Sequence, residues 1–187
     1  DVCSSDLMLL TSENVNTPDR LNYTPLGLAL SMGYTHSAKS LLAYEDRMTA
    51  HTVCGAMREA LVGANQTAVA LVVTEERLRR CTPDVLNELL LVAAGRSDLV
   101  DTVRMLLTAG ADANTARGNN TALHQAINAN SEKIEKIVKL LIEHGATVSG
   151  TALNAAGKVL VSEAVGWDNH TGAPRRTQPR DVVRWLA

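Results

Sequence analysis

The sequence predicts an all-α protein, a solenoid of stacked helix-turn-helix units joined by short hairpin loops. Two short motifs recur along the 187 residues at intervals of roughly 32 to 35 residues or multiples of them. Aromatic residues make up only 3% and Phe is absent, so the core must be built from aliphatic side chains. A single unit of this size cannot bury its own apolar face, so neighbouring units must stack to form a continuous core.

The first motif marks the start of a helix. Its copies occupy residues 24–29 (TPLGLA), 121–126 (TALHQA) and 151–156 (TALNAA). We expect Thr24 to cap the helix by accepting a backbone N–H, while Pro25 takes the first helical position, where no donor is needed. The pair Thr82-Pro83 is predicted to do the same.

The second motif marks the end of a helix. Its copies are residues 102–114 (TVRMLLTAGADAN) and 136–148 (KIVKLLIEHGATV), each with two adjacent leucines that form an apolar stripe. Gly110 and Gly145 follow the helical pattern at the place where a left-handed backbone ends a helix, which glycine adopts without steric cost.

These motifs resemble the ankyrin repeat, which has Thr-Pro-Leu-His-x-Ala, an apolar second helix and Gly-Ala-Asp-x-Asn. The resemblance covers nearly all of the chain after residue 7. It implies a truncated repeat tail at 8–16, then units at 17–46, 47–81, 82–114, 115–149 and 150–187.

Some units depart from this pattern. The unit at 47–81 lacks both motifs and is predicted from two apolar runs, 52–61 and 67–78. Extra residues are expected between the helices around 96–100 and 130–133. The last unit is divergent, because the polar segment 166–179 reads as a loop.

Both ends of the sequence are expected to be artificial. Residues 1–7 (DVCSSDL) match the translation of a common sequencing-adapter end, and residues 180–187 fit a second helix that stops early. The missing native N-terminus removes any evidence from a leader sequence.

Charge argues against nucleic acid or an anionic membrane as a partner. The formal net charge is −2, and it is zero without the two acids of residues 1–7. The longest apolar runs, such as 68–73, are too short to span a bilayer. We therefore expect a protein partner and a monomeric chain.

Motifs for cofactor or metal chemistry are not convincing. Gly150, Gly157 and Lys158 have the wrong spacing for a phosphate loop. His51 and Cys54 lie three residues apart, but a metal would need two further ligands. Cys54 and Cys81 are expected to be reduced and buried in the core, which makes the cytoplasm the default compartment. No catalytic residue, cofactor or metal site is predicted.

Basic and histidine residues also have simpler structural explanations. The cluster Arg175, Arg176, Arg180 and Arg184 is interpreted as a solvated loop and helix start, since only Trp185 accompanies it. By the resemblance, His124 makes a hydrogen bond between repeats. His144 precedes a helix-terminal glycine, where a cation complements the helix dipole. Catalysis by His51 or His170 is a third hypothesis that no motif supports.

In the ankyrin family, partners bind hairpin tips and the exposed side of the first helices. By position, the resemblance assigns such roles in the units at 17–46 and 115–149. These residues are Arg20, Leu21, Tyr23, Ser31 and Met32, and then Arg117, Gly118, Asn120, Asn128 and Ala129. Leu21 and Tyr23 could instead pack on the neighbouring hairpin.

The main hypothesis is therefore a non-enzymatic scaffold that binds a protein partner through hairpin tips and a concave helix face. The alternative is a targeting or regulatory segment of a larger multidomain protein, such as an enzyme or a microbial effector directed at a host. That alternative is an analogy at the level of the fold.

Overall fold

The computed structural model describes residues 14–63, 65–118, 120–128 and 134–147. Its helices and strands are α1 Pro25–Ser31, α2 Thr35–Leu42, α3 Ala50–Val62, α4 Gln66–Val72, α5 Glu75–Leu78, α6 Pro83–Ala94, α7 Val100–Thr108, β1 Ala116–Arg117, β2 Asn120–Thr121, α8 Ala122–Asn128 and α9 Ile134–Glu143. A short 3₁₀ helix, Glu45–Arg47, lies between α2 and α3. The expectations for residues 1–13, 129–133 and 148–187, which include the predicted binding residue Ala129, fall outside the described residues.

The helices form two layers, as an all-α solenoid requires. The first helices of successive units pack side by side, α1 on α3, α3 on α6 and α6 on α8. Each also packs on its own partner: α1 on α2, α3 on α4, α6 on α7 and α8 on α9. The paired leucines of α7 and α9 are buried between the layers, as predicted: Leu106, Leu107, Leu140 and Leu141.

Glycine ends α7 and α9 in the predicted way. Gly110 and Gly145 have φ angles of 101° and 87°. The N–H of Ala111 donates to the Leu106 carbonyl and the N–H of Gly110 to the Leu107 carbonyl, which is the pattern of a Schellman motif. An equivalent pair of bonds closes α9.

Helix starts agree with the prediction at Thr24 but not at Thr82. The Thr24 hydroxyl accepts from the N–H of Gly27 at 3.2 Å. The prediction for Thr82 is wrong, because its side chain makes no capping hydrogen bond, although Pro83 does begin α6. Thr82 is exposed, so water competes for its hydroxyl, whereas Thr24 is half-buried.

The second unit is built differently from its neighbours. Helix α3 extends the first predicted run, but the second run divides into α4 and α5 because Val73 and Thr74 are extended. The 3₁₀ helix leads almost directly into α3, and α5 leads almost directly into α6, with no β-hairpin at either junction. The boundaries of the units remain a prediction.

The two cysteines of this unit correct another expectation. Cys54 and Cys81 are buried in the core, as predicted, with 3% and 9% of their surface exposed. They are not free thiols, since a disulfide joins them across a Cα–Cα distance of 5.9 Å. The bond connects α3 to the residue just before Thr82 and Pro83. We had expected both cysteines to be reduced, and on that basis took the cytoplasm as the default compartment. The disulfide shows that the expectation of reduced cysteines is wrong.

Asparagine side chains fix the register between units. The amide nitrogen of Asn16 donates to the Arg47 carbonyl at 2.8 Å, and the Thr49 N–H donates to its amide oxygen at 2.8 Å. Asn114 repeats this arrangement with Gly145 and Thr147, at 2.9 and 2.7 Å. In both cases the side chain bridges to a turn 31 and 33 residues ahead.

In the third unit, the corresponding backbone N–H group donates to an asparagine on a helix instead of one in a preceding turn. The N–H of Asp112, in the turn after α7, donates to the side-chain oxygen of Asn87 at 2.8 Å. Asn87 lies on α6 of the same unit. This turn therefore uses an acceptor from within its own unit, whereas Asn16 and Asn114 each bridge to a turn of the following unit.

Candidate protein-binding groove

An open groove of about 730 Å³ crosses the row of first helices. Helices α3, α6 and α8 line it together with strand β1. It therefore lies on the side of the solenoid formed by the first helices and the hairpin. The absence of a hairpin between α5 and α6 leaves α6 uncovered at this point.

The groove has an apolar floor. Val62, at the C-terminal end of α3, is 60% exposed, and Leu91 and Val92 on α6 are half-buried. Exposed apolar side chains continue onto α1 as Leu28 and Met32, which lie one turn apart. We call Leu28, Met32, Val62, Leu91 and Val92 the apolar row.

A close helix contact brings the α1 and α3 parts of this row to adjoining helix ends. A Cβ atom placed on Gly63 would lie 2.6 Å from the carbonyl oxygen of Ser31, so the C-terminal ends of α1 and α3 touch through their backbones. Met32 and Val62 are each next in sequence to one of these two residues. The exposed apolar residues of α1 and α3 therefore lie at adjoining helix ends, and Val62 lines the groove with Leu91 and Val92 of α6.

Charges of both signs surround the floor. Asp84, Glu88 and Arg117 lie at the end nearer the hairpin, where α6 begins. Glu88 is 3.9 Å from Arg58, and both side chains are largely solvated, so this ion pair is weak. These groups remain accessible to a bound partner.

Arg96 closes the opposite end and has a structural role. Its guanidinium donates to Asp98 at 3.1 and 2.7 Å and to the carbonyl oxygen of Leu61 at 2.8 Å. Arg96 follows α6 and Leu61 belongs to α3, so this bond joins the C-terminal ends of the two helices. Arg96 lies among the residues predicted to be extra in the third unit.

The hairpin presents three of the predicted binding residues, Arg117, Gly118 and Asn120. Strands β1 and β2 are antiparallel, with Arg117 opposite Asn120, and both residues are exposed. Gly118, at the tip, has a φ of 63°. Asn128 is the last residue of α8, at the far end from the hairpin. Arg117 contributes to the groove, whereas Gly118 and Asn120 do not line it.

His124 orders the start of α8. Its Nδ1 lies 2.7 Å from the hydroxyl oxygen of Thr121, which also accepts from the His124 N–H at 3.2 Å. The resemblance implied a hydrogen bond from His124 to another repeat. That expectation is wrong, because the bond to Thr121 lies within one unit. His144 contacts the Leu140 carbonyl through Nδ1 at 2.8 Å, at the end of α9.

The predicted residues of the first unit do not form one patch. Arg20 and Leu21 are exposed at a turn in which the Asp19 carboxylate accepts from the backbone N–H groups of Leu21 and Tyr23, at 2.8 and 2.9 Å. Leu21 is 76% exposed and Tyr23 is half-buried. This turn precedes α1.

Ser31 and Met32 lie at the other end of α1. Met32 is 59% exposed, and the half-buried Ser31 donates its hydroxyl to the Leu28 carbonyl at 3.0 Å. Seven helical residues separate the two groups, a rise of roughly 10 Å. Met32 thus joins the apolar row, and the turn residues form a separate surface.

Sequence reasoning missed Val62, Leu91 and Val92. The unit at 47–81 lacks both motifs, so no family position could be transferred to Val62. The available signal was local, since Val62 is an apolar residue directly before Gly63, and glycine often follows the last residue of a helix.

The described residues give no support for a metal site or a membrane-spanning helix. They contain no group of three or more His, Cys, Asp and Glu residues suited to a metal ion. His51 is exposed at the start of α3, and Cys54 is in the disulfide rather than available as a ligand. No helix in this part of the chain is long and apolar enough to cross a bilayer.

Comparison with known proteins supports the same reading of the repeats. A family model described as ankyrin repeats (3 copies) matches residues 56–165, more than half of the chain. Searches of curated proteins and of solved structures give no significant match. Recurrent helix pairs, glycine-terminated second helices and this match agree. The chain belongs to the ankyrin repeat family.

Proposed function

We propose that this chain is a non-enzymatic scaffold that binds a segment of a partner protein in the groove. Ankyrin repeats are generally protein–protein interaction modules. The observation that supports this specific site is the apolar row, which crosses three first helices and remains accessible. We propose a monomeric chain whose partner is neither nucleic acid nor a membrane.

Solvation explains why the row favours a protein segment. Each exposed apolar side chain gains free energy when a partner removes it from water, by about 25 cal/mol per Å² of apolar surface. Val62 and Met32 are exposed by more than half, so they have most to gain. Asp84, Glu88 and Arg117 at the groove edge would set the orientation of the bound segment through polar contacts.

The test uses peptides selected on the protein itself. A random peptide library displayed on phage is panned against the oxidised chain, and the affinity of selected peptides is measured by fluorescence anisotropy. We expect Val62→Asp to weaken binding at least tenfold, because it places a charge against the apolar segment of the peptide.

Tyr34→Asp provides a matched control. Tyr34 is 58% exposed, close to the value for Val62, but it lies between α1 and α2 and does not line the groove. It should leave the affinity within twofold. Equal losses in the two variants, or none in either, would show that the groove is not the binding site.

A further inference from the structure

Two contacts near opposite ends of α6 connect it to α3, and both helices contribute residues to the groove. At one end, the disulfide joins Cys54 on α3 to Cys81, three residues before Asp84. At the other end, Arg96 donates to the carbonyl of Leu61. The position of α6 relative to α3 depends on both contacts, and Leu61, Val62 and Asp84 of these two helices line the groove.

The disulfide lies at a junction that has no asparagine bridge of the kind made by Asn16 and Asn114. Thr82, the residue after Cys81, is exposed and makes no side-chain capping bond. The ion pair Arg58–Glu88 also joins α3 and α6, but it is long and solvated. Apart from apolar packing, the covalent bond is thus the strongest connection near the start of α6.

We propose that the redox state of Cys54–Cys81 regulates the groove, so that the oxidised chain binds its partner and the reduced chain does so weakly. This inference rests on the proposed function of the groove. Without the bond, α6 remains connected to α3 by Arg96 and packing, and its N-terminal end can move away from α3. Asp84 and Glu88 lie on that part of α6 and would move with it.

A dithiol reductant of the thioredoxin class can supply the electrons. One of its thiolates attacks a cysteine sulfur, the Cys54–Cys81 bond breaks, and a mixed disulfide forms. Its second thiol resolves this intermediate, so the reductant becomes a disulfide while both cysteines gain a proton. Cys81 is the more exposed of the two, although at 9% it still requires local opening. Reduction should therefore be slow.

Binding and hydrogen exchange test the proposal together. All proteins carry Cys3→Ser, which removes the third cysteine, and are compared oxidised and after reduction by dithiothreitol. The probe is a selected peptide whose binding depends on Val62. We expect reduction to weaken its binding at least tenfold and to accelerate amide exchange at least tenfold in α3 and the first half of α6.

A double variant controls for direct effects of the reductant. Cys54→Ala/Cys81→Ala should behave like the reduced chain in both buffers. Exchange in α8 and α9 should change little, because their packing and the Asn114 bridge are intact. A rise of similar size throughout the chain would overturn the inference, since it would indicate global unfolding instead of a local change.

The outcomes separate this inference from the proposed function. Equal Val62-dependent binding by oxidised and reduced chains would overturn the redox inference and leave the proposed function intact. If no selected peptide depends on Val62 for its binding, the proposed function is wrong. The amide exchange rates alone then test the redox inference. Unchanged exchange in α3 and α6 would then overturn the claim that the bond holds the two helices in place.

Discussion

Replacing glycine by alanine is expected to have opposite effects at Gly63, which directly follows α3, and at Gly55, which lies inside α3. A Cβ at Gly63 would lie 2.6 Å from the Ser31 carbonyl oxygen and 2.9 Å from its Cα, so the backbone of α1 would have to move. A Cβ at Gly55 would meet nothing within 4 Å. The comparison tests whether the contact between α1 and α3 depends on the missing side chain.

The magnitudes follow from overpacking and helix propensity. Inserting a methyl group into a closely packed contact costs about 1 to 3 kcal/mol. At Gly63 a gain of up to about 1 kcal/mol offsets this, because alanine reduces the entropy of the unfolded chain. We expect Gly63→Ala to lower the free energy of unfolding by about 1 to 2 kcal/mol. Gly55→Ala, inside the helix, should raise it by about 0.5 to 1 kcal/mol.

Urea denaturation followed by far-ultraviolet circular dichroism measures both changes. Repeat arrays can unfold in parts, so amide exchange in α1 and α3 should accompany it. Equal stability of the two variants would refute the close contact between α1 and α3. It would also remove the argument that Met32 and Val62 lie at adjoining helix ends.

Three further experiments test the connections within and between units. Thr24→Ala should lower the free energy of unfolding by about 1 kcal/mol through loss of the cap, whereas Thr82→Ala should change it by only a few tenths; equal costs measured in urea would contradict the two hydrogen-bonding patterns. Asn114→Ala removes the bridge between turns and should cost about 1 to 2 kcal/mol, with faster amide exchange at the end of α9; unchanged exchange there would show that the bridge has no stabilising role. Cys54→Ala/Cys81→Ala opens a loop with a sequence separation of 27, and its cost in urea should be about 3.5 kcal/mol by the chain-entropy relation; a loss below about 1 kcal/mol would show that the disulfide contributes little stability.

Local chemistry explains which parts of the fold could be predicted from the sequence. Gly110 and Gly145 were predictable because a glycine after an apolar helix favours a left-handed backbone whatever surrounds it. The same applies to Thr24-Pro25, where the cap and the fixed φ act within one turn. Such features depend on neighbouring residues alone.

Features that depend on the surroundings could not be predicted in the same way. Thr82-Pro83 repeats the local signal of Thr24-Pro25, but its exposed hydroxyl makes no cap. Cys54 and Cys81 are 27 residues apart in a unit without motifs, so nothing in the sequence aligned them as partners. Val62 is exposed because of how the first helices are arranged, which the positions of the family motifs did not specify.

The residues of the proposed groove were therefore predicted only in part. Met32 and Arg117 lie beside or in the groove, because their units carry the motif from which their positions were transferred. Leu21 is exposed on a separate turn, and Ser31 uses its hydroxyl within α1. A contact surface formed by several units requires knowledge of how they pack, in addition to the sequence of each unit.

Mapping a bound peptide by NMR tests the central claim most directly. The oxidised chain, labelled with nitrogen-15, is titrated with a peptide selected from the displayed library. We predict that the largest amide shift changes occur at Met32, Val62, Leu91, Val92 and Arg117, which span α1, α3, α6 and the hairpin. Saturable changes confined to the second helices, α2, α4 and α7, would contradict the claim that the groove is the binding surface.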